Sequence, residues 1–192
     1  MRKLLHVTFL PLLFLCGLIS CAEPATEVET DRAGVEVYEP GTETAATTVY
    51  VVRHAEKDLA NPSDQNPDQN DEGRARAEAL RVLLQDVELG ALYATKYTRT
   101  KNTLKPLAEE RQLEIATYSA NDFTGLKERL LQEHAGQKVV VAGHSNTVLP
   151  LVQAFGAKTG LSHIPESEYG YIFKVTMFPD KAATVEIGKY AN

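Results

Sequence analysis

Two rhythms of apolar and polar positions alternate along most of this chain. Residues 47–53 (TTVYVVR) form a short β-branched run, the pattern of a strand buried on both faces. A loop rich in Asn, Pro, Asp and Gln follows at 61–70. From Glu72 to Val87, apolar residues recur at Ala77, Leu80, Leu84 and Val87, a spacing of three and four that makes one helical face. Ala91–Thr95 reads as a second strand, and Thr98–Arg111 as a helix through Leu104, Leu107 and Ala108, with Pro106 predicted to tighten or kink it. Leu113–Tyr118 is strand-like, and Asn121–Ala135 returns to helix through Phe123, Leu126, Leu130 and His134. Residues 138–143 (KVVVAG) are the clearest buried strand, and Val148, Leu151, Val152 and Phe155 make the next helix face. Two strands, Tyr171–Phe178 and Ala183–Lys189, close the chain around the turn Pro179-Asp180. Alternating strands and helices predict right-handed βαβ units and an α/β fold, a mainly parallel central sheet flanked by helices in three layers. The last two strands are expected as an antiparallel pair at one edge.

The first 46 residues follow neither rhythm. Met-Arg-Lys precedes an apolar run from Leu4 to Ile19, broken only by His6, Thr8, Pro11 and Gly17. This is the anatomy of a signal peptide over residues 1–20, too short and interrupted for a spanning helix of about 20 apolar residues. The run ends in Leu18-Ile19-Ser20-Cys21, which resembles the bacterial lipobox. That resemblance implies a lipid on Cys21, a membrane anchor and an exported protein, periplasmic or cell-surface. Ala22 rather than Asp behind the cysteine points to the outer membrane where the cell has one. Residues 22–46 carry seven acids and one base with no apolar period, so residues 21–46 read as the lipidated cysteine and a flexible acidic tether. Residues 47–192 are then the folded domain.

Composition adjusts this picture in two places. The chain of 192 residues has a formal charge of −6, which argues against nucleic acid as a partner, because phosphate-backbone affinity is built on Lys and Arg. From Thr47 onward, however, 17 basic and 19 acidic residues leave a net of −2, so the acidity belongs mostly to the tether. A nearly neutral domain is free to build a local basic pocket for an anion. The two cysteines, Cys16 and Cys21, fall in the signal and at the lipid position, so no disulfide is expected.

Chemistry concentrates at two strand ends. Arg53-His54-Ala55-Glu56-Lys57 follows the first strand, and Gly143-His144-Ser145-Asn146 follows the strand 138–143. Ligands of open α/β sheets bind at the carboxyl ends of strands. A helix starting near Ser145 or Asn146 would add the positive end of its dipole. Arg99, just past Ala91–Thr95, is placed to reach the same crevice. Guanidinium groups match phosphate oxygens bidentately, and an imidazole near pH 7 serves either as a nucleophile or as a cation. Two arginines and two histidines around one point suit phosphoryl transfer through a histidine.

These residues resemble the histidine phosphatase superfamily, the phosphoglycerate-mutase-like fold. The resemblance rests on Arg53-His54 after the first strand, Arg99 after a Thr-containing strand end and Gly143-His144 after a later strand, with Asp71-Glu72-Gly73-Arg74-Ala75-Arg76-Ala77 like the segment that opens the family's first helix. It implies that His54 forms a covalent phosphohistidine while Arg53, Arg99 and His144 bind the phosphoryl oxygens of a small phosphorylated substrate, with no metal and no cofactor. A carboxylic acid should protonate the leaving oxygen. Asp122 is the candidate the family position suggests, although Asn121-Asp122 before a helical run is equally an N-cap signature. Glu56 is the alternative acid, Lys57 a possible attractor of phosphate, and Asn146 either orients His144 or caps a helix. Lys96 stands where the family commonly has proline.

Three other readings compete. Gly143-His144-Ser145-Asn146-Thr147 brushes against a nucleophile elbow, but no Asp or Glu stands between Ser145 and His163. A zinc site on His54, Glu56 and His144 would place a cation beside two arginines. A surface lipoprotein that binds a phosphorylated ligand without turnover is the non-enzymatic alternative, against which both histidines argue.

Overall fold

The computed structural model describes residues 45–191, so the signal peptide, Cys21 and all but the last two residues of the tether lie outside the described residues. Ten elements follow in order: β1 (Thr47–Arg53), α1 (Asp71–Leu83), β2 (Ala91–Ala94), α2 (Thr98–Arg111), β3 (Ile115–Thr117), α3 (Phe123–Glu133), β4 (Lys138–Gly143), α4 (Val148–Ala154), β5 (Tyr171–Met177) and β6 (Thr184–Lys189). They build one six-stranded sheet in the order β3-β2-β4-β1-β5-β6. The first four positions are parallel, β5 runs antiparallel to β1, and β6 antiparallel to β5. The antiparallel relation therefore begins one strand further in than a lone edge hairpin.

The two-residue period of the strands divides the core into two. Val49, Val51, Val139, Val141, Phe173 and Val175 face a cluster shared with α3 and α4. Val52, Val140, Ala142, Leu92 and Ala94 face one shared with Leu80 of α1 and Leu104 and Leu107 of α2. Both sides of the sheet are covered, which is why its central strands read as continuous apolar runs. Helix α1 starts where Asn70 accepts a hydrogen bond from the Gly73 amide at 2.9 Å. A Cβ on Gly73 would overlap the Glu56 carbonyl oxygen, so glycine lets this helix lie directly on the loop leaving β1. Pro106 sits inside α2 without ending it.

The helix after β4 begins at Val148, not at Ser145 or Asn146. Thr147 takes the local bonds instead, its hydroxyl oxygen accepting from the His144 amide at 2.9 Å, and Asn146 caps nothing. A seven-residue helix that starts three positions late leaves no dipole argument for the anion.

Candidate active site

Strand register gathers the chemistry. Arg53 pairs with Gly143 and Ala94 with Ala142, so three adjacent strands end together, and the His54 amide donates to the Gly143 carbonyl at 2.9 Å. Gly143 is tight: a Cβ there would stand 3.0 Å from the Thr147 hydroxyl and 3.2 Å from that of Tyr118. Above these ends opens a cleft of about 350 Å³ lined by Arg53, His54, Lys57, Tyr97, Arg99, Ala120, Asn121, His144, Ser145, Asn146, Thr147 and Glu166. Arg53, His54, Arg99 and His144 thus converge as expected, and Lys57 and Asn146 line the same cleft.

His54 is 5% exposed, and its Nδ1 lies 2.8 Å from the Ala55 carbonyl oxygen. A carbonyl only accepts, so Nδ1 carries the proton and Nε2 keeps a free lone pair. Burial lowers the pKa of His54 to about 3, with Arg99, His144 and Arg53 adding to the effect against the bond to Ala55. The ring is neutral at pH 7 and can act as a nucleophile. Its orientation is held from behind: the Ala55 amide donates to the Thr103 hydroxyl at 2.9 Å, and that hydroxyl donates to the Arg99 carbonyl at 2.8 Å.

His144 stands edge-on to His54, with ring centroids 5.3 Å apart, and edge-on to Tyr97 at the same distance. Burial, then Arg99 and Arg53, lower its pKa to about 4. Its Nε2 lies 3.0 Å from the Thr95 hydroxyl, which lies 2.8 Å from that of Thr100, which donates to the Tyr97 carbonyl at 2.7 Å. Because the chain ends on an acceptor, each hydroxyl donates onward and His144 donates from Nε2. Its other nitrogen is left to take up a proton when a negative charge arrives.

The two arginines are fixed differently. Arg53 is 2% exposed; its Nη1 donates to the carbonyls of Pro165, Glu166 and Glu168, and its Nη2 donates to the Glu166 carboxylate at 2.8 Å. The Tyr169 ring stacks on it, 3.9 Å from Cζ. Arg99 lies over the Tyr97 ring at 4.6 Å, its pKa pulled down chiefly by burial. The Nε atoms of both are buried and have no partner among the described residues. Unpaired buried cationic donors are costly, and an anion in this cleft would satisfy them.

Both carboxylates predicted as acids are committed elsewhere. Glu56 accepts from Arg76 Nε at 2.8 Å and forms an ion pair with its Nη2 at 2.7 Å, while Arg76 Nη1 donates to the carbonyls of Tyr190 and Ala191. Glu56 thus ties α1 and the chain's end to the loop behind His54 and does not line the cleft. It also brings no third ligand for a zinc ion to the histidines, and no group of three His, Cys, Asp or Glu side chains suited to a metal forms among the described residues. Asp122 takes the capping role, accepting from the Gly125 amide at 2.9 Å. Its neighbours Ala120 and Asn121 form the rim in its place. His134 bonds Tyr93 and Gln137 at the end of α3, far from this chemistry in role.

Sequence reasoning passed over Thr95, Tyr97, Thr100, Thr103, Glu166 and Tyr169, and met Ser145 only as an alternative nucleophile. One signal was present: Thr100 and Thr103 share the buried stripe of α2 with Leu104 and Leu107. Hydroxyls on an apolar helix face ask for a buried partner. Glu166 and Tyr169 lie in a loop with no period to read.

Comparison with known proteins bears on the fold. The model of the histidine phosphatase superfamily (branch 1) matches residues 49–120. No curated protein matches the sequence. Among solved structures, the protein histidine phosphatase SixA complexed with tungstate superposes with a TM-score of 0.61 at 20% identity, over 74% of this chain and 96% of that one. A mycobacterial glucosyl-3-phosphoglycerate phosphatase gives 0.59 at 12%, over 76% and 98%. The Bacillus stearothermophilus protein YhfR gives 0.53 at 19%, over 75% and 96%. The chain therefore carries the histidine phosphatase fold, with the sequence pattern of the superfamily's branch 1 over residues 49–120.

Proposed function

We propose that the protein is a phosphatase that hydrolyses small phosphomonoesters through a phosphohistidine on His54, without a metal. The reading is carried by the state of His54: a buried, neutral ring whose Nδ1 proton is fixed on Ala55 and whose Nε2 lone pair is free, beside two arginines and a second imidazole. His54 Nε2 attacks phosphorus as the bond to the leaving oxygen breaks, and water then displaces the phosphoryl group from the ring. Arg53, Arg99 and a protonated His144 hold the three equatorial oxygens, on which charge is spread in the loose transition state. Splitting one displacement into two is the benefit of a covalent intermediate. Several superposed structures are of proteins described as phosphatases, which supports the same reading.

The test is hydrolysis of nitrophenyl phosphate by the wild type and by His54→Ala, with excess chelator throughout. We expect the variant to lose about 10³-fold or more in kcat, and rapid denaturation of the wild type to trap radiolabelled phosphate on His54. Equal rates in the two proteins would overturn the proposal and leave a ligand-binding lipoprotein. The site is proposed to work outside the cytoplasm, residues 1–20 directing export and Cys21 carrying lipid. Labelled fatty acid should enter the wild-type protein in a bacterial host and fail to enter Cys21→Ala.

A further inference from the structure

Both carboxylates that sequence alone suggested as the acid are engaged outside the cleft, and Glu166 is the single carboxylate among its lining residues. Its side chain is 82% exposed, yet both oxygens are placed. Oε2 accepts from Arg53 Nη2 at 2.8 Å, and Oε1 accepts from the Ser145 hydroxyl at 2.6 Å. The backbone beneath it is held rigidly, because Arg53 Nη1 donates to the carbonyls of 165, 166 and 168. An anchored backbone with an exposed side chain describes a group that swings at little cost. Resting on one phosphoryl-binding arginine, that group lies within reach of the atoms bonded to phosphorus.

We propose, building on the phosphatase reading, that Glu166 is the general acid and base of the reaction. Its bonds to Ser145 and Arg53, and the charge of nearby Lys57, hold its carboxyl below the ordinary value, so it meets the substrate ionised. A phosphomonoester monoanion brings the proton. As its phosphoryl oxygens take over Arg53, the carboxylate loses its cation, gains a negative neighbour and accepts that proton. His54 Nε2 then bonds to phosphorus while the P–O bond to the leaving group breaks, and the Glu166 carboxyl gives its proton to the departing oxygen, releasing the alcohol. In the second step water bonds to phosphorus, its proton passes to the Glu166 carboxylate and the P–N bond breaks, restoring neutral His54. The proton leaves with phosphate, so the sum is ester monoanion plus water to alcohol plus phosphate monoanion.

The experiment compares Glu166→Gln and Glu166→Asp with the full-length wild type on nitrophenyl phosphate, a good leaving group, and on phenyl and alkyl phosphates, which need protonation. With the poor leaving groups we expect kcat of Glu166→Gln to fall about 10²-fold or more, and with nitrophenyl phosphate by a much smaller factor, so that the dependence of rate on leaving-group pKa steepens. Glu166→Asp should recover part of the loss. In the wild type, kcat/KM on alkyl phosphates should decline above about pH 6, where the substrate monoanion disappears. A loss equal across all leaving groups, or none at all, would overturn the assignment while wild-type turnover kept the phosphatase reading alive. A wild type no faster than His54→Ala on every ester would end both.

Discussion

Single atoms decide what this site can do, and most of the deciding atoms are not on the clamp itself. The His54 tautomer depends on the direction of one carbonyl, that of Ala55, and that peptide is held by the Thr103 hydroxyl on its amide side. Thr103 is thus a positioning residue. Replacing it with valine keeps the shape and removes the acceptor, leaving the buried Ala55 amide unpaired at a cost of about 1–3 kcal/mol. We expect Thr103→Val to lower the urea midpoint accordingly and to reduce kcat with little change in KM, since the ring loses its orientation but the arginines remain. Thr103→Ser, which restores the oxygen, should recover kcat; failure of serine to do so would assign the defect to packing. The legible part of the site follows the same logic of scale. Arg53 closes β1, His54 and His144 directly follow β1 and β4, and Arg99 opens α2 just past β2, so all four were readable from strand ends that the apolar runs fix. Glu166 reaches the cleft from a loop ordered by Arg53, a contact more than a hundred residues away in sequence, and no local pattern announces such a bond.

Elements set where those atoms stand. The loop carrying His54 is pressed from one side by α1, which comes close only because residue 73 lacks a side chain, and from the other by α2 through Thr103. Glu56 and Arg76 lock the first of these contacts, with side chains 11% and 17% exposed. Removing the charge from a largely desolvated pair leaves Arg76 poorly matched, so Glu56→Gln should cost about 1–3 kcal/mol in urea or thermal unfolding. It should not change how rate depends on the leaving group, which would separate it from Glu166→Gln in the same assay. Helix α2 contains a second opportunity. Pro106 lacks the amide that would bond to the carbonyl of Asn102, a half-buried residue, and the helix runs through regardless. The apolar stripe of Leu104 and Leu107 against the sheet outweighs the local penalty, which is why the proline does not end the helix. Pro106→Ala should raise stability by about 1–3 kcal/mol, a fraction of the proline penalty surviving in tertiary context. Where the expected start of a helix erred, a polar bond had replaced a helical one. The chain from His144 to Thr147 turns on its own hydroxyl, delaying α4 by three residues.

At the scale of the whole molecule, the sheet concentrates two cations and two neutral imidazoles at one end, and folding must carry that electrostatic load. Both histidines have their pKa lowered far below 6.5, to about 3 for His54 and about 4 for His144. The unfolded chain protonates these rings as pH falls through 6.5, whereas the native chain does not until about 4 or below. Between these limits the unfolded state binds more protons, so stability declines as pH falls, by at most about 1.4 kcal/mol per ring for each pH unit. An anion reverses the balance for His144, because a phosphoryl oxygen beside it favours the charged ring and gives the arginines the acceptor they lack. Inorganic phosphate at a hundred times its pH 8 dissociation constant should therefore add about 2.7 kcal/mol at pH 8, and the same concentration should add more at pH 5. Urea titrations of the wild type and of His144→Asn, run at pH 5 and pH 8 with and without phosphate, measure both effects. The variant should show a shallower loss of stability toward acid pH and a phosphate gain that no longer grows there. A variant as acid-sensitive and as phosphate-responsive as the wild type would place the proton on some group other than His144.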